Sequence, residues 1–182
     1  MTQTLGKSQR YLSDFRAFER TLGTDEPQWL HETRERAMTR FIELGFPSAR
    51  RGNEKWKYTN VGPVANTAFE YPIQANSHGV TAADLGRIAP WHENWANLVF
   101  VDGRYSEALS SARLDADGIQ AGSLAEAIHA APDMVEKHLA HYASIEDDGF
   151  TALNTAFIQD GAFVHIPEGR SLDSPLHLVF VS

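Results

Sequence analysis

Residues 150–182 read FTALNTAFIQDGAFVHIPEGRSLDSPLHLVFVS, and the change of texture inside this stretch decides what kind of fold the chain builds. FTALNTAF (150–157) predicts a short helix. Beyond it comes a run of short apolar strands punctuated by Asp-Gly, Pro-Glu-Gly and Ser-Pro, residues that turn a chain sharply between strands. So short a strand region shows no internal repeat, although a solenoid would look like this at its first rung. The sequence stops inside the apolar run LHLVFVS without a polar tail, which predicts that a longer protein has been cut at this point.

Upstream the pattern is mixed. Tyr11, Phe15, Phe18 and Leu22 recur at helical spacing and predict a first helix ending near Gly23. A second helix is signalled by Asp25 as N-cap, Pro27 in the first turn, and a stripe of Leu30, Ala37, Phe41 and Leu44; Gly45 and Pro47 stop it. Glu32 and Arg36, four apart, are placed to pair on its exposed side. Gly62-Pro63 marks a break, and residues 63–78 read as extended or irregular, with a short helix from TAADLGRI (81–88). NLVFV (97–101), the turn Asp102-Gly103 and RYSEALS (104–110) read as a β-hairpin, because a type I′ turn requires positive φ at both central residues. Ser123 with Glu126 three residues later opens a capped helix, and DMVEKHLAHYA (133–143) continues helical after Pro132. The expected fold class is α+β. A helical region over 1–62 precedes a mixed α/β segment over 63–149, and strands begin in 150–182.

Composition narrows the function classes. At 182 residues the chain is long enough to bury roughly 70% of its unfolded surface. It carries 16 Lys+Arg against 24 Asp+Glu, a formal charge of −8, which repels phosphate backbones at long range. It has no cysteine, hence no disulfide, thiolate zinc site, thiol nucleophile or thiolate-bound iron–sulfur cluster of its own. The N-terminus lacks the apolar core of a secretory signal, and no run approaches the roughly 20 apolar residues of a membrane span. The expected setting is the cytoplasm.

Eight histidines raise the question of a metal. His138 and His141 lie one turn apart on a predicted helix, but two imidazoles are too few, and Asp147 and Asp148 are not placed beside them by any spacing. His165 and His177 alternate with apolar residues in strands, where a hydrogen-bonded structural role is expected. Glu146, Asp147 and Asp148 read as a solvated turn. Gly-x-Ser-x-Gly, the phosphate-binding loop and Gly-x-Gly-x-x-Gly are all missing. RGNEKWKYTN (51–60) concentrates three cations and two aromatics. On an extended backbone Trp56 and Tyr58 would share one face and Lys55 and Lys57 the other, so both rings are expected to face inward and the lysines water. A nucleic-acid module using Lys55, Trp56, Lys57 and Tyr58, and a β-helix enzyme acting on carbohydrate through two carboxyl groups, are the alternatives from other classes.

RRGNEKWKYTN, preceded by FIELGFPSARR, resembles the N-terminal signature of the SufB/SufD family of the SUF iron–sulfur cluster assembly system, on its SufD side. NLVFVDGRYSEALS and FTALNTAFIQDGAFVHIPEG agree with the same family in order and spacing, and together the three blocks cover most of the chain from about Trp29. The resemblance implies a non-enzymatic scaffold subunit that forms a complex with SufB and the ATPase SufC. It also implies a fold in which the N-terminal helical domain leads into a right-handed parallel β-helix, begun here in 150–182. In the family, the SufC-docking segment, the SufB-contacting strands and the residues proposed for cluster assembly lie toward the C-terminal part. No catalytic, cofactor-binding or metal residue therefore carries over to a position in this sequence, and no cofactor is expected in it. Partners are expected to be SufB and SufC homologues, with no nucleic acid and no membrane, and an open strand edge is expected to favour self-association.

Overall fold

A computed structural model of the chain describes residues 2–23, 25–48, 54–69, 79–111 and 118–182. Two compact units emerge, and both are discontinuous in sequence: Met1–Ile73 with Asp133–Ile158, and Gln74–Pro132 with Gln159–Ser182. No helix among the described residues is long and apolar enough to cross a membrane.

The first unit is helical. Its long helices are α1 (Thr2–Glu19) and α2 (Gln28–Leu44), followed by a 3₁₀ turn at Glu54–Trp56 and the short α3 (Gly62–Asn66). The apolar stripes do what their spacing predicts: Phe15, Phe18, Leu30, Ala37 and Phe41 are buried, whereas Leu44 at the last turn reaches the surface. α2 begins two residues later than expected, with Pro27 in the cap position. On its exposed side Glu32 accepts a hydrogen bond from Gln28 at 2.7 Å. The stripes of α1 and α2 close around a segment from much later in the chain. Ile145, Ala152 and Ala156 complete the core, and Phe157 packs edge-on to Phe15 at 5.9 Å. This segment holds α6 (Pro132–Glu136) and α7 (Gly149–Ala156). The predicted helix over 133–143 survives only as the one turn of α6. Burial of Ile145 stabilises by about 1.5–3 kcal/mol and the packing of Phe157 adds to it, so the late segment is a structural part of the helical unit.

The second unit is built on a buried strand. α4 (Ala82–Ile88) opens on a reciprocal cap between Thr81 and Asp84. β1 (Ala96–Val101) is buried along its whole length and is flanked by β2 (Arg104–Tyr105) and β5 (Leu176–Val181), in the order β2-β1-β5. β1 and β5 run parallel over six residue pairs from Ala96↔Leu176 to Val101↔Val181. A strand covered on both faces accounts for the uninterrupted apolar run LVFV (98–101). The hairpin turn is as the sequence predicts, with φ of 49° at Asp102 and 80° at Gly103. The returning strand is shorter than expected. After Tyr105 the chain enters a 3₁₀ turn, and Ser110 Oγ accepts from the Val99 amide at 2.9 Å in place of a ladder partner. Leu85 of α4 packs with Val99, Val101 and Val179 on one face of this sheet. β3 (Gln120–Ser123) and β4 (Ala162–His165) form a separate antiparallel pair, with α5 (Leu124–Ala130) capped by Ser123, which accepts from the Glu126 amide.

Candidate functional site

The sequence singles out the turn at 54–60, and the structure changes its meaning. The backbone there is not extended. A 3₁₀ turn sets successive side chains about 120° apart, so the two rings separate. Trp56 is half-buried and packs on Phe150 of α7 with ring centroids 5.3 Å apart, and Phe150 in turn meets Phe46 at 5.4 Å. Tyr58 points outward and is 91% exposed. Lys57 Nζ stands 5.4 Å from the Tyr58 ring centroid and 3.4 Å from the Glu54 carboxylate, and Lys55 is exposed. The expectation that both rings face inward is therefore corrected: Trp56 anchors the turn and Tyr58 is displayed by it. The display is held from behind by Thr59 N–H donating to the Trp56 carbonyl at 3.1 Å, and by Asn60 Oδ1 accepting from the Gly62 amide at 3.0 Å.

The predicted histidines do not converge. His138 stacks on Tyr142 and its Nδ1 lies 2.6 Å from the tyrosine hydroxyl, whereas His141 Nδ1 donates to the Lys137 carbonyl at 3.0 Å. Asp148 is the N-cap of α7, accepting from the amides of Phe150 and Thr151 at 2.9 and 3.0 Å. Glu146 pairs with Arg40 at 3.3 Å. The acidic triplet is thus a helix start and a surface ion pair, and only Asp147 answers to a plain solvated turn. His165 faces Gln120 across the β3–β4 ladder, and its Nδ1 is buried without a hydrogen-bond partner among the described residues. His177 Nδ1 lies 3.0 Å from Asn97 Oδ1. The Asn97 amide nitrogen donates to the carbonyls of His92 and Trp95 and to Ser111 Oγ. Its oxygen therefore faces His177, and His177 carries its proton on Nδ1.

Two groupings escaped the sequence reading. Glu19, His31 and Glu35 bring three ligand atoms within 4.8 Å of one another. His31 turns Nδ1 to Glu19 at 2.9 Å and Nε2 to Glu35 at 3.5 Å, so one imidazole bridges two carboxylates and clasps α1 to α2. Burial pushes the Glu19 carboxyl above its ordinary range, which His31 opposes and Glu35 reinforces. The second grouping centres on Asp160. Its Oδ1 accepts from Ser123 Oγ, Ala125 N and Gly161 N at 2.8, 3.1 and 2.8 Å, and its Oδ2 from Tyr105 N at 2.7 Å. One carboxylate thereby ties the hairpin, the start of α5 and the approach to β4. Asp160→Asn keeps one acceptor oxygen but turns an NH₂ toward a remaining donor. It is expected to cost about 1–3 kcal/mol in urea unfolding, with the slope of the transition unchanged.

What these side chains offer is contact chemistry: an exposed ring with the Lys57 ammonium beside it on the helical unit, and an apolar strand edge on the other. The chain belongs to the SufBD family, whose model for the SufBD protein N-terminal region matches residues 5–178. Among its relatives is the iron-sulfur cluster assembly SufBD family protein ABCI9 of Arabidopsis thaliana, 35% identical over 85% of this chain and 36% of that protein. ABCI8 of the same plant, named as chloroplastic, is 26% identical over 86% of this chain and 30% of its own length. The iron-sulfur cluster assembly protein SufD of Bacillus subtilis is 24% identical over 97% of this chain and 39% of its own length. The chain thus spans between 30% and 39% of the length of these three relatives.

Proposed function

We propose that this chain is the N-terminal part of a scaffold subunit of an iron–sulfur cluster assembly complex. It works beside SufB- and SufC-type partners in a reducing compartment such as the cytoplasm and carries no catalytic step of its own. The observation that carries this reading is the family match over residues 5–178. The lack of cysteine agrees with it, since cluster ligands would have to come from elsewhere. We place the SufC contact outside these 182 residues, and take β4 and β5 as the opening of a right-handed parallel β-helix, both from the family resemblance. Co-expression with SufB- and SufC-type subunits tests this. A protein extended by the region its relatives carry is expected to recover both, and the 182 residues alone to leave SufC behind. Recovery of neither by the extended protein would sink the reading. Equal capture of SufC by the shorter chain would move the docking surface into it.

The strand edge supports self-association as a second property. β5 lies at the edge of its sheet, and its sequence LHLVFV has no acidic residue, lysine, arginine or proline of the kind that discourages edge pairing. Within β5, Leu178 and Phe180 are 41% and 62% exposed. The mass of the chain by light scattering is expected to rise with concentration, and Phe180→Lys to lower it at equal concentration. A constant monomer mass in the unsubstituted chain would count against this property.

A further inference from the structure

Of the large apolar side chains described as exposed, Tyr58 is the most exposed, and the turn that carries it is built to hold it there. Trp56 is committed to Phe150, while the backbone on either side is fixed by the Trp56–Thr59 and Asn60–Gly62 hydrogen bonds. With the backbone fixed, a tyrosine has only two side-chain torsions to lose on binding, which is why such rings serve as interface anchors. The charge around it is local and opposite to that of the whole protein. Among the described residues 54–60, Lys55 and Lys57 stand against Glu54 alone, two cations to one anion, within a chain of charge −8. The Lys57–Glu54 pair lies at the surface with both groups more than half exposed, and a pair of that kind holds its partners weakly. Lys57 can therefore exchange toward a better anion, and Lys55 is exposed.

We propose that Tyr58, with Lys55 and Lys57, is a docking knob for an acidic segment of a protein partner, whose carboxylates meet the ammonium groups and whose apolar atoms cover the ring. The setting rests on the scaffold reading above; the contact itself does not. A single-stranded nucleic acid is the weaker occupant, because such strands are tracked by several exposed rings in series. Here Trp56 is turned inward and one ring remains.

The test is an NMR titration of the intact chain. The probe is an acidic peptide of about twelve residues in which Asp and Glu alternate with Leu and Phe, set against the same peptide with Lys at every acidic position. Shifts are expected to concentrate at residues 55–60 with the acidic peptide only. Affinity should fall at least about fivefold between roughly 50 and 300 mM NaCl. Tyr58→Ala and the double change Lys55→Glu/Lys57→Glu should each weaken it by about tenfold or more, and Lys137→Glu, exposed elsewhere, should leave it unchanged. These positions are on the surface, so folding is not at stake. Dispersed shifts, no binding, or equal binding by the variants would overturn the proposal. So would tighter binding of a single-stranded oligonucleotide, or concentration-dependent dimerisation abolished by the lysine changes, which would give the knob to nucleic acid or to a second copy. A failed titration leaves the co-expression result standing, and failed co-expression leaves the titration interpretable.

Discussion

Gly149→Ala is expected to destabilise the helical unit by at least about 3 kcal/mol, enough to lower the urea midpoint sharply or to prevent soluble expression. A β-carbon at 149 would stand 1.9 Å from the carbonyl oxygen of Gly45 and 3.1 Å from its carbonyl carbon. Neither atom can swing aside as a side-chain tip would. Gly45 is itself pinned as the C-cap of α2, with φ of 66° and its N–H donating to the Phe41 carbonyl at 2.7 Å, while Gly149 is the first residue of α7. Relief would require the end of α2 and the start of α7 to separate, which would also pull Phe150 away from Phe46. The companion change Gly86→Ala, where a β-carbon meets nothing within 4 Å, is expected to be neutral or slightly stabilising, because alanine is the better helix former. Equal stability of Gly149→Ala and the unsubstituted protein would show that the two helix ends can move apart freely.

Arg34→Ala is expected to cost about 3–5 kcal/mol, read from denaturant midpoints at constant slope. Its side chain is fully buried. The guanidinium is paired through both terminal nitrogens with the Glu26 carboxylate, donates from Nε to the Ile158 carbonyl at 2.7 Å, and lies 5.3 Å from the centre of the Phe18 ring. Truncation would leave the Ile158 carbonyl without that donor and Glu26 without its counter-charge, and would open a cavity under Phe18. Glu26 keeps 21% of its side chain in contact with solvent, which places the cost toward the lower end. Arg34→Met fills the volume and should cost less. Adding Glu26→Gln to Arg34→Met should recover part of the loss, since no charge is then left unpaired. If the double variant were no more stable than Arg34→Met, the stranded carboxylate would not be the source of the penalty.

The features legible in the sequence are those fixed by near neighbours. Asp102-Gly103 could be read as a I′ turn, and Ser123 as a helix cap, because each depends on residues two or three positions away. The stripes of α1 and α2 were legible for the same reason. The pairing of β5 with β1 spans 80 positions, from Asn97 to His177, and no local pattern specifies it. Asp160 read as half of an Asp-Gly turn, although its partners Tyr105, Ser123 and Ala125 lie 35 to 55 positions earlier. At the candidate site the residue types were right and the geometry was not. A single 3₁₀ turn sent Tyr58 outward, and whether three residues coil or extend turns on what Trp56 finds to pack against. That partner, Phe150, lies far along the chain, at the start of α7.

The split make-up of the helical unit bears on how the chain is made. A ribosome releases the N-terminus first, and domains ordinarily fold in that order. Here α1 and α2 emerge with their apolar stripes bare, and Ile145, Ala152, Ala156 and Phe157, which close over them, are translated only after β1, β2 and β3. During that interval the nascent chain presents a hydrophobic pair of helices that its own later residues have yet to cover. Until α7 has been synthesised, the α1–α2 pair is a natural client for a chaperone.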